Sequence, residues 1–154
     1  MTEPATPRQV LERLLDGIAN RRWAELHELY AEQTVIDYPF GLPAPRRLQG
    51  KDAIRSYFAT VAQQPLLLRA RDTIVHETAD PEVVVAEWNY DGLVTSTGRT
   101  FEVANIQVSR VRDGRIVESR DYHNHIAIAN AAGRLTDIVS ALNATRGDRD
   151  APRS

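Results

Sequence analysis

The segment Thr100–His125, TFEVANIQVSRVRDGRIVESRDYHNH, decides the fold. Arg112-Asp113-Gly114 lies between two runs of alternating apolar and polar residues, the pattern of a tight β-hairpin. The strands it joins are expected over Thr100–Arg112 and Arg115–His125. Side chains alternate across a strand, so Phe101, Val103, Asn105, Gln107 and Ser109 share one face of the first. On the second strand Val117, Ser119, Asp121, His123 and His125 share a face, with Ile116, Glu118, Arg120, Tyr122 and Asn124 on the other. Polar residues in the middle of a long apolar strand must find partners if they are buried.

Upstream of the hairpin, Leu66–Thr78 and Glu82–Thr95 read as two more strands, separated by a turn at Asp80-Pro81. The second of these carries Trp88 and Tyr90, and a polar turn around Gly98 follows it. A helix is expected from Lys51 to Gln63, with Ile54, Tyr57, Phe58 and Val61 on one side. Before it come a short strand, Thr34–Tyr38, and a loop punctuated by Pro39, Gly41, Pro43 and Pro45. Residues 7–31 read as two tandem helices. Thr6-Pro7 caps the first, Val10, Leu11, Leu14, Leu15 and Ile18 form its stripe, and Trp23, Leu26, Leu29 and Tyr30 form the stripe of the second. Beyond the hairpin, a short terminal helix is expected over Leu135–Leu142, and the polar tail from Arg146 to Ser154 is expected to be disordered. One domain, residues 1–145, accounts for the rest. Helices gathered before a run of strands give an α+β fold rather than a doubly wound sheet. The expected architecture is a cone-shaped, curved antiparallel or mixed sheet packed on three N-terminal helices, with an apolar interior suited to a ligand.

The chain has 154 residues, of which 42% are hydrophobic and 26% charged, the mix of a globular protein. A net charge of −2 and a pI near 6.1 argue against nucleic-acid binding, which needs a basic stripe. The absence of cysteine excludes a disulfide framework, a thiolate zinc site and a cysteine nucleophile. Val83–Ala86, the longest aliphatic run, is too short for a bilayer, and Met1–Gln9 is polar. The expectation is a cytoplasmic protein that does not engage a membrane.

Four segments resemble the nuclear transport factor two-like superfamily, and within it the SnoaL-like polyketide cyclases and ketosteroid-isomerase-like proteins. They are Tyr30–Gly41 after the helix pair, Leu48–Phe58 at a helix start, Val111–Glu118, and Ser119-Arg120-Asp121-Tyr122, similar to a closing W-R-D-Y. Together they span about residues 8–132. The resemblance implies the cystatin-like α+β roll, sheet-to-sheet homodimers, and cofactor-free chemistry on a hydrophobic small molecule. It does not fix a reaction, since the fold hosts enzymes and binding modules alike.

The resemblance places Asp121 where cyclases and epoxide-hydrolase-like relatives keep a catalytic aspartate. Asp121 and His123 are therefore the leading pair: a carboxylate in an apolar pocket, with an imidazole beside it, suits general acid–base work. Asp121-x-His123-x-His125 also reads as a metal pattern, but alternate residues of a straight strand lie roughly 6.6–7 Å apart, and no metal is expected. Ketosteroid isomerases carry their proton-abstracting aspartate next to the proline that corresponds to Pro39. Either Asp37 or Tyr38 falls in that role, depending on a one-residue shift. Leu14 and Gln107 stand where that isomerase needs its two oxyanion donors, so a true ketosteroid isomerase is not expected. Tyr38, Tyr57, Trp88, Asn105, Gln107 and Ser119 are candidate substrate contacts, through ring walls and hydrogen bonds to a carbonyl. Arg46-Arg47 is either a solvated pair or a cap that attracts an anionic substrate. The leading reading is a cyclase, isomerase or dehydratase acting on a polyketide- or steroid-like carbonyl compound. The alternatives are a binding or scaffold module of the same fold, and a hydrolase activating water between Asp37 and Asp121.

Overall fold

The computed structural model describes residues 2–150, with side chains to residue 147. Helix α1 (Pro7–Ala19) starts where Thr6 closes a reciprocal cap: its hydroxyl accepts from the Gln9 amide at 3.3 Å, while its own amide donates to Gln9 Oε1 at 3.0 Å. Val10, Leu11, Leu14 and Leu15 form the buried stripe of this helix.

The expected second helix is replaced by one 3₁₀ turn, Leu26–Leu29, and Tyr30 already opens strand β1 (Tyr30–Tyr38). Two constraints shorten it. Tyr30 is claimed by pairing with Ile116, and Leu26 packs so closely on Gly17 that a Cβ there would collide with it. The proline-rich loop leads into a short edge strand, β2 (Arg46–Gln49), which was expected to be loop. Helix α2 (Lys51–Ala62) and strands β3 (Leu66–Glu77), β4 (Val83–Val94), β5 (Arg99–Arg112) and β6 (Arg115–His123) follow near their expected bounds. Asp113 and Gly114 take positive φ, 51° and 73°, as the hairpin turn requires.

Strand β6 ends two residues early. The Asn124 side chain accepts from the Ala127 amide at 3.1 Å and caps helix α3 (His125–Ala131), so His125 lies on a helix and not on the strand. Helix α4 runs over Leu135–Asp150, well beyond the expected Leu142. Residues 146–150 thus continue a helix instead of forming a disordered tail, and residues 151–154 lie outside the described residues.

The six strands form one open mixed sheet in the order β2-β1-β6-β5-β4-β3, with β1 and β6 parallel and the other pairs antiparallel. Helices α1 and α2 cover one face, where Val10, Leu11, Leu14, Ile36, Ile54, Phe58, Ala86 and Ile116 build the core. A register shift between Arg110 and Val111 pairs Val111 with Ile116 and leaves Val117 as an extra residue. The expected alternation on β6 therefore holds only from Ser119 onward, and Ile116 is buried where parity placed it outside. Among the described residues no helix is long and apolar enough to cross a membrane.

Candidate functional site

The β5–β6 hairpin sets three polar pairs opposite one another on the helix-covered face: Ser109 with Ser119, Gln107 with Asp121, and Asn105 with His123. All but His123 are buried, and Asp121 is only 6% exposed. The Ser119 hydroxyl donates to Asp121 Oδ1, and Gln107 Nε2 donates to Ser109 Oγ at 2.9 Å. Asn105 Nδ2 donates to the Val103 carbonyl at 3.0 Å, which leaves its Oδ1 as an acceptor for His123 Nδ1 at 2.6 Å. Because an amide oxygen cannot donate, His123 must carry its proton on Nδ1. The free nitrogen, Nε2, faces Asp121 Oδ2 at 3.8 Å, too far for a direct hydrogen bond. One oxygen of the carboxylate and one nitrogen of the imidazole are thus fixed, while Asp121 Oδ2 and His123 Nε2 take no hydrogen bond among the described residues.

Aromatic rings surround this pair. Tyr38 stacks obliquely on Tyr57 at 5.9 Å and on His123 at 6.1 Å, while Trp88 meets Tyr90 edge-on at 5.7 Å and His123 at 6.4 Å. Burial raises the pKa of the Tyr30, Tyr38, Tyr57 and Tyr90 hydroxyls, and the negative charge of Asp121 adds to the shift in each. These phenols therefore stay protonated and serve as donors, not as bases. The buried Trp88 Nε1 and His125 Nε2 have no hydrogen-bond partner among the described residues. His125 is held below the ordinary histidine pKa by burial first, then by its neighbours His123 and Arg46, with Asp121 opposing them.

The rings occupy much of the expected cone. Open space lies instead at the His123 end of the sheet, where a groove of about 450 Å³ is lined by Phe40, Leu42, Asn105, Ile106, Tyr122, His123 and His125. A second hollow of about 320 Å³, lined by Tyr38, Pro39, Pro45, Arg46, Arg47, Asp37 and Arg120, opens beside it. Asp121 lines neither, so His123 and Tyr38 stand between the carboxylate and the openings.

Most of the residues expected in the site meet there: Asp121, His123, Tyr38, Tyr57, Trp88, Asn105, Gln107 and Ser119 all belong to the inner face or its covering helix. Asp37 does not. Its neighbour Tyr38 is buried inside, so alternation turns Asp37 to the outer face, where Arg47 binds both carboxylate oxygens at 2.7 and 2.9 Å. Chiefly through that hydrogen bonding, Arg47 holds the Asp37 carboxyl below the usual carboxylate range. Asp37 and Asp121 therefore do not share a water, and the hydrolase alternative loses its pair of carboxylates.

The rings of His123 and His125 come within 5.9 Å, yet among the described residues no three acidic or histidine side chains are placed to hold a metal ion. Tyr30 was not singled out as a site residue from the sequence, and Arg46 only together with Arg47, as a solvated pair or a cap for an anionic substrate. The signal for Tyr30 was its position in an apolar stripe, which suits core and site equally. What separates Arg46 from Arg47 had no signal, because β2 is visible only through its pairing with β1.

A SnoaL-like domain family matches residues 11–119. The chain is 36% identical over 107 residues to the uncharacterized protein YesE of Bacillus subtilis, covering 69% of this chain and 73% of YesE. It is 30% identical over 122 residues to an uncharacterized PhzA/B-like protein of Pseudomonas aeruginosa, covering 79% of this chain and 84% of that one. A crystal structure of a candidate isomerase from Bacillus subtilis superposes with a TM-score of 0.76 at 31% identity, covering 82% of this chain and 92% of that one. Nuclear transport factor two-like and ketosteroid-isomerase-like structures at 21% and 17% identity share the fold, with TM-scores of 0.63 and 0.69.

Proposed function

This chain belongs to the SnoaL-like domain family, and from that premise we propose that it is an enzyme moving a proton α to the carbonyl of a hydrophobic, polyketide- or steroid-like substrate, as a cyclase, isomerase or dehydratase. The observation that carries this reading is the pair of buried Asp121 and part-buried His123, each held by one hydrogen bond and without one at its other polar atom. On the sheet's inner face, among the described residues, Asp121 and His123 are the groups that can accept a proton, since the tyrosines are kept neutral by burial. His123 Nε2, on the side of the groove, takes the α-proton, and Asp121 Oδ2, 3.8 Å away, stabilises the imidazolium that forms. Negative charge on the substrate oxygen is met by the Tyr38 hydroxyl, which burial keeps protonated and which lines the second hollow. Proton transfer of this kind contributes about 10²–10⁴ in rate.

The test is deuterium incorporation from D₂O into the α-position of 2-tetralone, followed by NMR. The wild-type protein should accelerate exchange over buffer, and D121N should lose about 10²–10⁴ of that acceleration while its circular dichroism is unchanged. Equal exchange by both proteins would overturn the assignment.

The same reading includes a homodimer formed through the outer face of the sheet. Support comes from the large apolar side chains exposed on that face, Ile74 and Ile106, which are 50% and 46% exposed. Light scattering should return twice the chain mass of 17.3 kDa, and I106E should return it to that of a single chain.

A further inference from the structure

Two arginines sit side by side on β2 and have opposite surroundings. Arg47 pairs across to Asp37 on the outer face, which binds both ends of its guanidinium fork. Arg46 pairs across to Tyr38, and its guanidinium lies over the rings of Tyr38 and Tyr57 at 5.0 and 5.2 Å. The third arginine of this hollow, Arg120, meets Glu118 at 3.6 Å. Among the described residues Arg46 forms no ion pair, as is true of exposed arginines such as Arg13, Arg69 and Arg115, but of the three arginines lining this hollow it is the one that lacks a pair. A cation without a counter-ion thus stands at the edge of the site, one tyrosine ring away from His123.

We propose that Arg46 receives a carboxylate of the substrate, so that the compound processed by Asp121 and His123 is a carbonyl-bearing carboxylic acid. The inference rests on the proton-transfer reading of that pair. The guanidinium fork offers two parallel N–H donors, which a carboxylate accepts in full. A phosphate dianion would call for a second free cation, and the neighbouring Arg47 and Arg120 are already engaged by Asp37 and Glu118. A bound carboxylate leaves its apolar stem against Tyr38, with the rest of the molecule directed past that ring toward His123. The aromatic faces under Arg46 hold the guanidinium in place before the ligand arrives, which limits the entropy lost on binding.

Calorimetry with 4-oxo-4-phenylbutanoate and its methyl ester tests this, because the pair differs only in the charge at one end. The wild-type protein and R47Q should bind the acid about tenfold more tightly than the ester, and the preference should shrink in high salt. R46Q should bind both equally, with the ester affinity unchanged, which doubles as proof that the variant is folded. Should R46Q lose the ester as well, R46K decides, since it must keep part of the preference. Equal binding of acid and ester to the wild-type protein, or an undiminished preference in R46Q, would overturn the role of Arg46 alone. The Asp121 reading would then stand or fall on the deuterium-exchange test. Failure of both compounds to bind the wild-type protein would overturn the proposal together with the hydrophobic-carbonyl site beneath it.

Discussion

The two faces of the sheet handle charge in opposite ways. On the outer face and its edges, arginines and carboxylates interleave: Arg71 reaches Asp91 and Glu102 at 2.7 Å each, Arg110 reaches Asp80 at 2.8 Å, and Arg112 reaches Glu82 at 2.7 Å. These side chains remain in contact with water, where ion pairs are screened and add little stability. On the inner face the polar groups are Thr34, Asn105, Gln107, Ser109, Ser119 and Asp121, and the one carboxylate among them has a serine and a histidine as neighbours instead of an arginine. A buried charge without a strong partner is costly to a fold. On the proposed function, the inner set is where stability is given up for chemistry, while the outer set could change with little consequence.

The sharpest test of that contrast is packing. I36A removes most of a side chain that is 1% exposed and should cost about 2–5 kcal/mol in urea unfolding. I74A, on the outer face and 50% exposed, should change stability by no more than about 0.5 kcal/mol. Comparable losses from both would erase the distinction between the faces. Next in size is S119A, which strips Asp121 Oδ1 of its donor inside the protein and should cost about 1–3 kcal/mol. A neutral result in chemical denaturation would mean that the carboxylate finds another partner.

The third test is pH. His125 has a folded pKa below its ordinary 6.5, so the unfolded chain binds the proton more readily. Its contribution to stability is complete above 6.5 and is lost as the pH falls from there toward the folded value. H125N should flatten the thermal midpoint over that window, and an unchanged slope would remove His125 from the interior. The smallest effect belongs to R71Q. Although Arg71 touches three carboxylates, its midpoint in high salt should match that of the wild-type protein within measurement scatter.

Much of the site was legible because period-two alternation is local. The face shared by Asn105, Gln107 and Ser109 follows from β5 alone, whereas the Asp113-Gly114 turn by itself would set Asp121 opposite Ile106, and the extra residue at Val117 moves it opposite Gln107. Asp37 and Tyr38 show where that logic stops. Two neighbouring residues can each claim the inner face until β1 is locked between β2 and β6, and the lock turns Tyr38 inward. His125 was misplaced for a related reason: the strand pattern continues through it, but the Asn124 cap makes a helix the better partner for the backbone.

The sequence by itself determined an α+β chain with a long polar-cored hairpin and Asp121 and His123 on one of its faces, because turn chemistry and alternation act over a few residues. Tertiary structure alone decided the extra residue at Val117, the short strand that separates Arg46 from Arg47, and the ring-filled interior that leaves its opening beside His123. Those features depend on register between strands far apart in the chain, and register is settled only when the buried faces pack together.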